Sequence, residues 1–186
     1  MLLEENRDNI MKWVCEMALS DSQTALKSLY VAYYQRLMRF TTLYVSSKGE
    51  AEEIVSDTFL AVWNNRQSLP GVSNFTSYIY TIARFKAISY YRKQHPEEVP
   101  LEEIPIDLFT GTETTPEDDL ITKEEIDCLN AAINALPAKC KMAFKLVRED
   151  KMKYKDAAAI LDISVKTLEA HLANAVKKLR EALSTG

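Results

Sequence analysis

Apolar residues return along this chain at steps of three and four. Leu26, Leu29, Tyr30, Tyr33, Leu37, Phe40 and Tyr44 hold to one face of a helix, and Ser20 or Asp21 stands where it can cap the start. Gly49 breaks that pattern. A second helix fits Glu50 to about Arg66, with Ala51, Val55, Thr58 and Val62 sharing a face, and Pro70-Gly71 marks a loop. A third fits Phe75 to about Lys93. Further on, Thr115-Pro116 suits a helix start, and Ile126, Leu129, Ile133 and Leu136 carry a helix up to Pro137. Cys140, Phe144 and Val147 mark the next helix, and Tyr154–Leu161 and Val165–Leu183 the last two. No strand pattern and no repeat interrupts the series. The expected fold is all-α: two small helical bundles, residues 1–94 and 123–186, joined by a flexible acidic linker, with a helix-turn-helix in the second bundle.

The linker is placed at residues 95–122, HPEEVPLEEIPIDLFTGTETTPEDDLIT, which hold four of the six prolines. Proline removes backbone donors and the carboxylates repel one another, so a packed element is not expected there. The stretch reads as an ordinary tether, or as an acidic strand suited to a partner's basic channel. It also changes the meaning of the net charge of −4. Residues 1–94 carry 11 Lys/Arg against 9 Asp/Glu, and residues 123–186 carry 12 against 9, while the linker has 9 acids and no Lys or Arg. Two mildly basic blocks therefore flank an acidic connector, and a nucleic-acid partner is compatible with an acidic whole.

In the C-terminal pair, Asp162-Ile163-Ser164 is a three-residue turn that lets two helices cross steeply. Ala158 is small where they approach, and Ser164 can cap the second helix. Val165, Leu168, Leu172, Ala175 and Leu179 form the stripe to be buried. The opposite face centres on Ala170 and Lys177, with Lys166, Ala173 and Asn174 around them. Small side chains flanked by Lys and Asn let a helix approach base edges while its cations meet phosphates. A solvated amphipathic helix closing a bundle has the same pattern, and Glu169 in the exposed first turn would repel phosphate.

The third helix mixes aromatics (Phe75, Tyr78, Tyr80, Phe85, Tyr90, Tyr91) with Arg84, Lys86, Arg92 and Lys93. Tyr80, Arg84, Ala87 and Tyr91 fall at helical steps, the composition that unstacked bases require. Core packing is the competing reading, and Phe75 and Tyr90 are expected there. On the second helix Glu50, Glu53 and Asp57 share a face beside Leu60 and Trp63, either a solvated stripe or a docking surface for a basic partner; the adjacent apolar groups favour docking.

Catalysis finds little support. His95 and His171 are the two histidines, and no glycine-rich phosphate loop, H-E-x-x-H motif or G-x-S-x-G elbow is present. No cofactor or metal is expected. Cys15, Cys128 and Cys140 are scattered and unpaired, as buried thiols in a reducing compartment would be. No signal peptide opens the chain and no apolar run approaches the roughly 20 residues that span a bilayer. A cytoplasmic protein without membrane insertion is expected.

These motifs resemble, in order, the extracytoplasmic-function subgroup of the sigma-70 family. Asp21–Phe40 looks like the family's opening helix, and Ala51-Glu-Glu-Ile-Val-Ser-Asp-Thr-Phe-Leu-Ala-Val-Trp63 like its core-binding motif. Phe75–Lys93 looks like its promoter-melting helix, and Leu136-Pro137 through Leu183 like its fourth region. The resemblance implies a transcription initiation factor with core RNA polymerase and promoter DNA as partners, commonly restrained by an anti-sigma protein. It implies polymerase contacts at Glu53, Asp57, Phe59, Leu60 and Trp63. The loop Ser68–Asn74 with Tyr80, Arg84, Tyr91 and Arg92 would take the melted minus-ten element. Ser164, Lys166, Thr167, Ala170, His171, Asn174 and Lys177 would meet the minus-thirty-five element. This chain has Phe85 where the family usually has Asn, Ser89 for Asp, Asp156-Ala157-Ala158 for Glu-Ile-Ala, and Asp162 where a Gly is usual. A two-domain helix-turn-helix regulator acting without polymerase is the alternative.

Overall fold

A computed structural model of the chain describes residues 2–94 and 123–184, with side chains over 7–94 and 127–184. The acidic stretch 95–122 and the helix start expected at Thr115-Pro116 lie outside the described residues. The chain divides into two compact units, Met1–Glu102 and Glu103–Gly186. Among the described residues every regular element is helical.

In the first unit, α1 (Leu2–Ser20) buries Ile10, Val14 and Met17, which lie one turn apart on one face. It packs on α2 (Gln23–Thr41) and on a 3-10 turn, Arg66–Gly71. Between α1 and α2, Asp21 turns left-handed with φ 50°, and Ser22, not Ser20 or Asp21, caps α2 by accepting the Ala25 N–H at 3.2 Å. Ser20 instead donates to the Glu16 carbonyl, and Asp21 holds Arg66. α2 buries Ala25, Leu29, Tyr33, Leu37 and Phe40. α3 (Lys48–Asn64) opens on a capping box: Ser47 Oγ accepts the Glu50 N–H at 3.2 Å, and the Glu50 carboxylate accepts the Ser47 N–H at 3.0 Å. Gly49 thus lies in the first turn of α3 and does not precede it. The 3-10 turn inserts Leu69 into the core, and α4 (Phe75–Gln94) starts at Asn74, whose side-chain oxygen accepts the Ser77 N–H at 3.1 Å.

In the second unit, Ile133 and Leu136, at the end of α5 (Lys123–Asn134) and just beyond it, share a core with Cys140, Ala175 and Leu179. α6 (Ala138–Phe144) widens into a π-turn, Lys145–Glu149, closed by the Asp150 N–H on the Lys145 carbonyl at 2.9 Å. The helix expected through Val147 is continuous, but loosened by that wider turn. α7 (Tyr154–Leu161) ends where Asp162 takes φ 57° and ψ 45°, the left-handed geometry that a Gly would adopt more cheaply. Ser164 then caps α8 (Val165–Ser184), accepting the Thr167 N–H at 3.0 Å. Leu168, Leu172, Ala175 and Leu179 are buried; Val165, also expected in that stripe, is exposed in the first turn.

All three cysteines are free, but only Cys140 is buried; Cys15 is half-buried and Cys128 exposed. Among the described residues no helix is long and apolar enough to cross a membrane. Replacing Ser47 by Ala removes the side-chain half of the α3 capping box, the Oγ that accepts the Glu50 N–H, and leaves the backbone half in place. It should cost the first unit about 1 kcal/mol, read by urea unfolding through Trp13 and Trp63, the chain's two tryptophans, both in this unit.

Candidate nucleic-acid interface

With its apolar stripe buried, α8 presents Lys166, Thr167, Ala170, Ala173, Asn174 and Lys177 outward, all exposed. Ala170 and Ala173 keep this face low, so a groove floor can approach the helix backbone. Ser164 and Thr167 are joined by their hydroxyls at 2.8 Å, which ties both to the capping of the helix start. Lys177 reaches Glu181 at 3.9 Å, an exposed pair that holds the ammonium only weakly. Beside this face lies an open groove of about 580 Å3, lined by Arg148, Tyr154, Glu169, Leu172, Lys177 and Arg180. Its three cations extend the positive surface, and Glu169 and Glu181, which also line it, interrupt it. His171 and Asn174 are less free than the helical wheel suggested. Asn174 Nδ2 donates to Cys140 Sγ at 3.5 Å, and the same sulfur sits 3.9 Å from His171 Nδ1. His171 is half-buried, and burial, with Lys139 nearby, holds its pKa below the ordinary imidazole value.

In α4 the face drawn through Tyr80, Arg84, Ala87 and Tyr91 turns inward. Tyr80 and Ala87 have no exposed surface and Tyr91 has 3%. Neither ring can stack on a base from there. The reason is that Phe75, Ile79, Ala83, Ala87 and Tyr91 form the buried spine of the helix, and Tyr80 lies on its flank. Tyr80 packs on Phe40 with centroids 5.1 Å apart. Phe75 is core as expected, whereas Tyr90, also expected there, is only half-buried. Arg84 remains partly accessible and bonds the Tyr44 hydroxyl, whose phenol is pushed up by burial despite that guanidinium. Arg36 of α2 lies 5.6 Å from the Tyr33 ring centroid and 5.8 Å from that of Tyr80. The outward face carries Phe85, 59% exposed, with Ser89 and Arg92 one and two turns on. Phe85 is the aromatic available to a ligand. Continuing the Phe75–Ile79–Ala83–Ala87 spacing as the core would have pointed to it. Asn74 caps α4 by its side-chain oxygen, so its first duty is structural.

On α3, Glu53, Asp57 and Leu60 are exposed together, Leu60 by 57%. Asp57 reaches across to Lys86 of α4 at 3.9 Å. Glu50 is absorbed by the capping box. Phe59, expected on the docking face, is turned inward and rests on Tyr30 with centroids 4.8 Å apart. Trp63 is half-buried under the Arg66 guanidinium, 4.4 Å from its centroid, and Asp21 fixes that guanidinium in turn. Nothing among the described residues gathers three or more metal-ligating side chains.

Comparison with known proteins gives a consistent picture. Residues 29–97 match the family model for Sigma-70 region 2, and residues 126–179 that for Sigma-70 region 4. The chain is similar to the ferric citrate uptake sigma factor FecI of Escherichia coli strain K12, 25% identical over 162 residues that cover 87% of this chain and 92% of FecI. It is 26% identical over 175 residues to the ECF RNA polymerase sigma-E factor of the same organism, covering 90% and 89% of the two chains. Among solved structures, sigma factor RpoE in complex with the anti-sigma factor NepR, from Bartonella quintana, shares the fold. Its TM-score is 0.60 at 24% identity, over 85% of this chain and 96% of that one.

Because Tyr80 is a core residue, Tyr80→Ala should lower the stability of the first unit by about 3–5 kcal/mol, as for other buried aromatics. Denaturant titration followed by tryptophan fluorescence reads this directly, and an unchanged midpoint would return the ring to the surface.

Proposed function

The chain belongs to the sigma-70 family, in its extracytoplasmic-function subgroup, and we propose that it binds core RNA polymerase and carries it to particular promoters, opening the strands there. It is a transcription initiation factor, and its work is binding, not catalysis. The observation that carries this reading is the succession, in one chain, of a region 2 match over 29–97 and a region 4 match over 126–179.

Within this reading the units divide the task. Glu53, Asp57 and Leu60, with the edge of Trp63, form the polymerase-docking stripe, an apolar centre flanked by carboxylates. Arg84 and Arg92 with Phe85 and the loop ending at Asn74 take the melted minus-ten strand, by cation contact with phosphates and by an exposed ring for a base. Lys166, Thr167, Ala170, His171, Asn174 and Lys177 meet the minus-thirty-five duplex in the major groove. Residues 1–94 and 123–186 act as the two binding modules and residues 95–122 as the tether. The setting is the cytoplasm, where the polymerase works. An anti-sigma protein is the expected restraint, a reading supported by the partner named for RpoE.

Run-off transcription with core enzyme on a library of genomic fragments tests the whole. Initiation from a restricted set of fragments is expected. Failure to associate with core enzyme, or specific promoter binding without it, would leave a helix-turn-helix regulator instead. Asp57→Arg reverses charge within the docking stripe and sets like charges beside Lys86; it should reduce core association at least tenfold, a loss of about 1.4 kcal/mol or more, in a competition pull-down. Lys177→Ala should weaken duplex binding at all sequences alike and flatten the slope of log affinity against log salt by about one unit. Titrations at several salt concentrations measure it.

A further inference from the structure

The contact between α6 and α8 places a sulfur atom behind the groove-facing side chains. Cys140 is 2% exposed, on α6, and its Sγ is approached by two side chains of α8 one turn apart. Asn174 Nδ2 donates to it at 3.5 Å, and His171 Nδ1 lies 3.9 Å from it. Both belong to the set assigned above to the minus-thirty-five element. We infer that Cys140 is a positioning residue for sequence readout, whose S–H group engages His171 Nδ1 and so leaves the far ring nitrogen, Nε2, as a hydrogen-bond donor to the DNA. The inference rests on the assignment of α8 as the duplex-reading helix.

The chemistry runs in one direction. Asn174 supplies an N–H to the sulfur. The thiol keeps its own proton, because burial pushes it up by more than Asn174 and Lys178 bring it down. That proton is directed at the imidazole nitrogen facing it. The imidazole is neutral, since burial and the nearby Lys139 both disfavour its cation. A neutral imidazole that accepts at Nδ1 carries its hydrogen on Nε2. Such a donor suits O6 and N7 of guanine, N7 of adenine or O4 of thymine, and is mismatched to the exocyclic amines of adenine and cytosine. The amide of Asn174 is oriented by the same sulfur: with one N–H on it, the amide keeps its oxygen as an acceptor and its second N–H as a donor. Readout by this helix would therefore include one donor, Nε2 of His171, whose polarity is set by a residue that does not reach the groove.

His171 and His95 are the chain's two histidines, so 15N-histidine labelling of the full chain gives two imidazoles, assigned with a His95→Gln variant. The nitrogen shifts of wild type should show His171 protonated at Nε2 alone. Cys140→Ser keeps a donor and an acceptor and should preserve that tautomer, while Cys140→Ala should yield a mixture of the two. A His171 protonated at Nδ1 in wild type overturns the proposal whether or not any variant folds. In the second arm, duplexes with single-pair substitutions across the element compete for the polymerase-bound factor. Wild type and Cys140→Ser should discriminate about tenfold at the pair facing His171. Cys140→Ala and His171→Ala should lose that discrimination at the same pair, and Cys140→Ala should leave affinity for unrelated DNA unchanged. Full retention of the preference in Cys140→Ala would also overturn it. Because the tautomer is read without DNA or polymerase, a chain that directs no initiation would fail the functional assignment while still returning a result on the sulfur contact.

Discussion

Burial of Leu168, Leu172, Ala175 and Leu179 fixes the rotation of α8 about its own axis, and what the second unit can offer a partner follows from that rotation. Each of these side chains contributes up to about 1.5–3 kcal/mol when removed from water, Ala175 less. A rotation by one residue, 100° of helix, would bring Glu169 and Arg180, or Lys178, towards the core at a cost no surface contact could offset. Ala170, Ala173 and Lys177 are therefore held outward by what lies behind them. The same rule governs α4, where Phe75, Ile79, Ala83 and Ala87 take the interior and set Phe85 and Arg92 outside. A bundle this small buries one face of each helix well, and recognition is left to the other.

Much of this was legible in the residue pattern, and what escaped has physical causes. α7 and α8 were bounded closely because period, cap and turn agreed: an apolar stripe, Ser164 ahead of it, and Asp162 able to adopt a left-handed backbone. The start of α3 was displaced because Gly49 reads as a breaker, whereas in a first turn held by the Ser47–Glu50 box it costs little. The candidate site was harder. Tyr80, Tyr91 and Phe59 are amphipathic or aromatic residues that satisfy a core and a binding face equally well on paper, and only the packing of α2 against α3 and α4 decides between them. Contacts across long separations, such as Cys140 with His171 and Asn174 or Arg84 with Tyr44, leave no periodic trace.

Several arginines of the first unit are already held in place. Arg84 is tied to Tyr44, Arg36 lies over Tyr33 and Tyr80, and Arg66 covers Trp63 while gripping Asp21. A long cation immobilised in advance surrenders less rotamer freedom when it meets a phosphate or a carboxylate. The acidic excess of the chain, meanwhile, falls in residues 95–122, so the net charge of −4 hides the mildly basic balance of the residues on either side.

α1 adds a constraint of a different kind. It covers the turn that seats Leu69, and Arg7 reaches the Ser73 carbonyl at 3.4 Å, a closure over 66 positions of sequence. The approach to α4 is thus laced down by a segment from the opposite end of the unit. Fusions, clippings or binding proteins that lift α1 would slacken the entry to α4 from behind, while Glu53 and Asp57 stand on a different helix, α3. On the roles proposed above, attachment and melting would then come apart as separately adjustable properties of one small body.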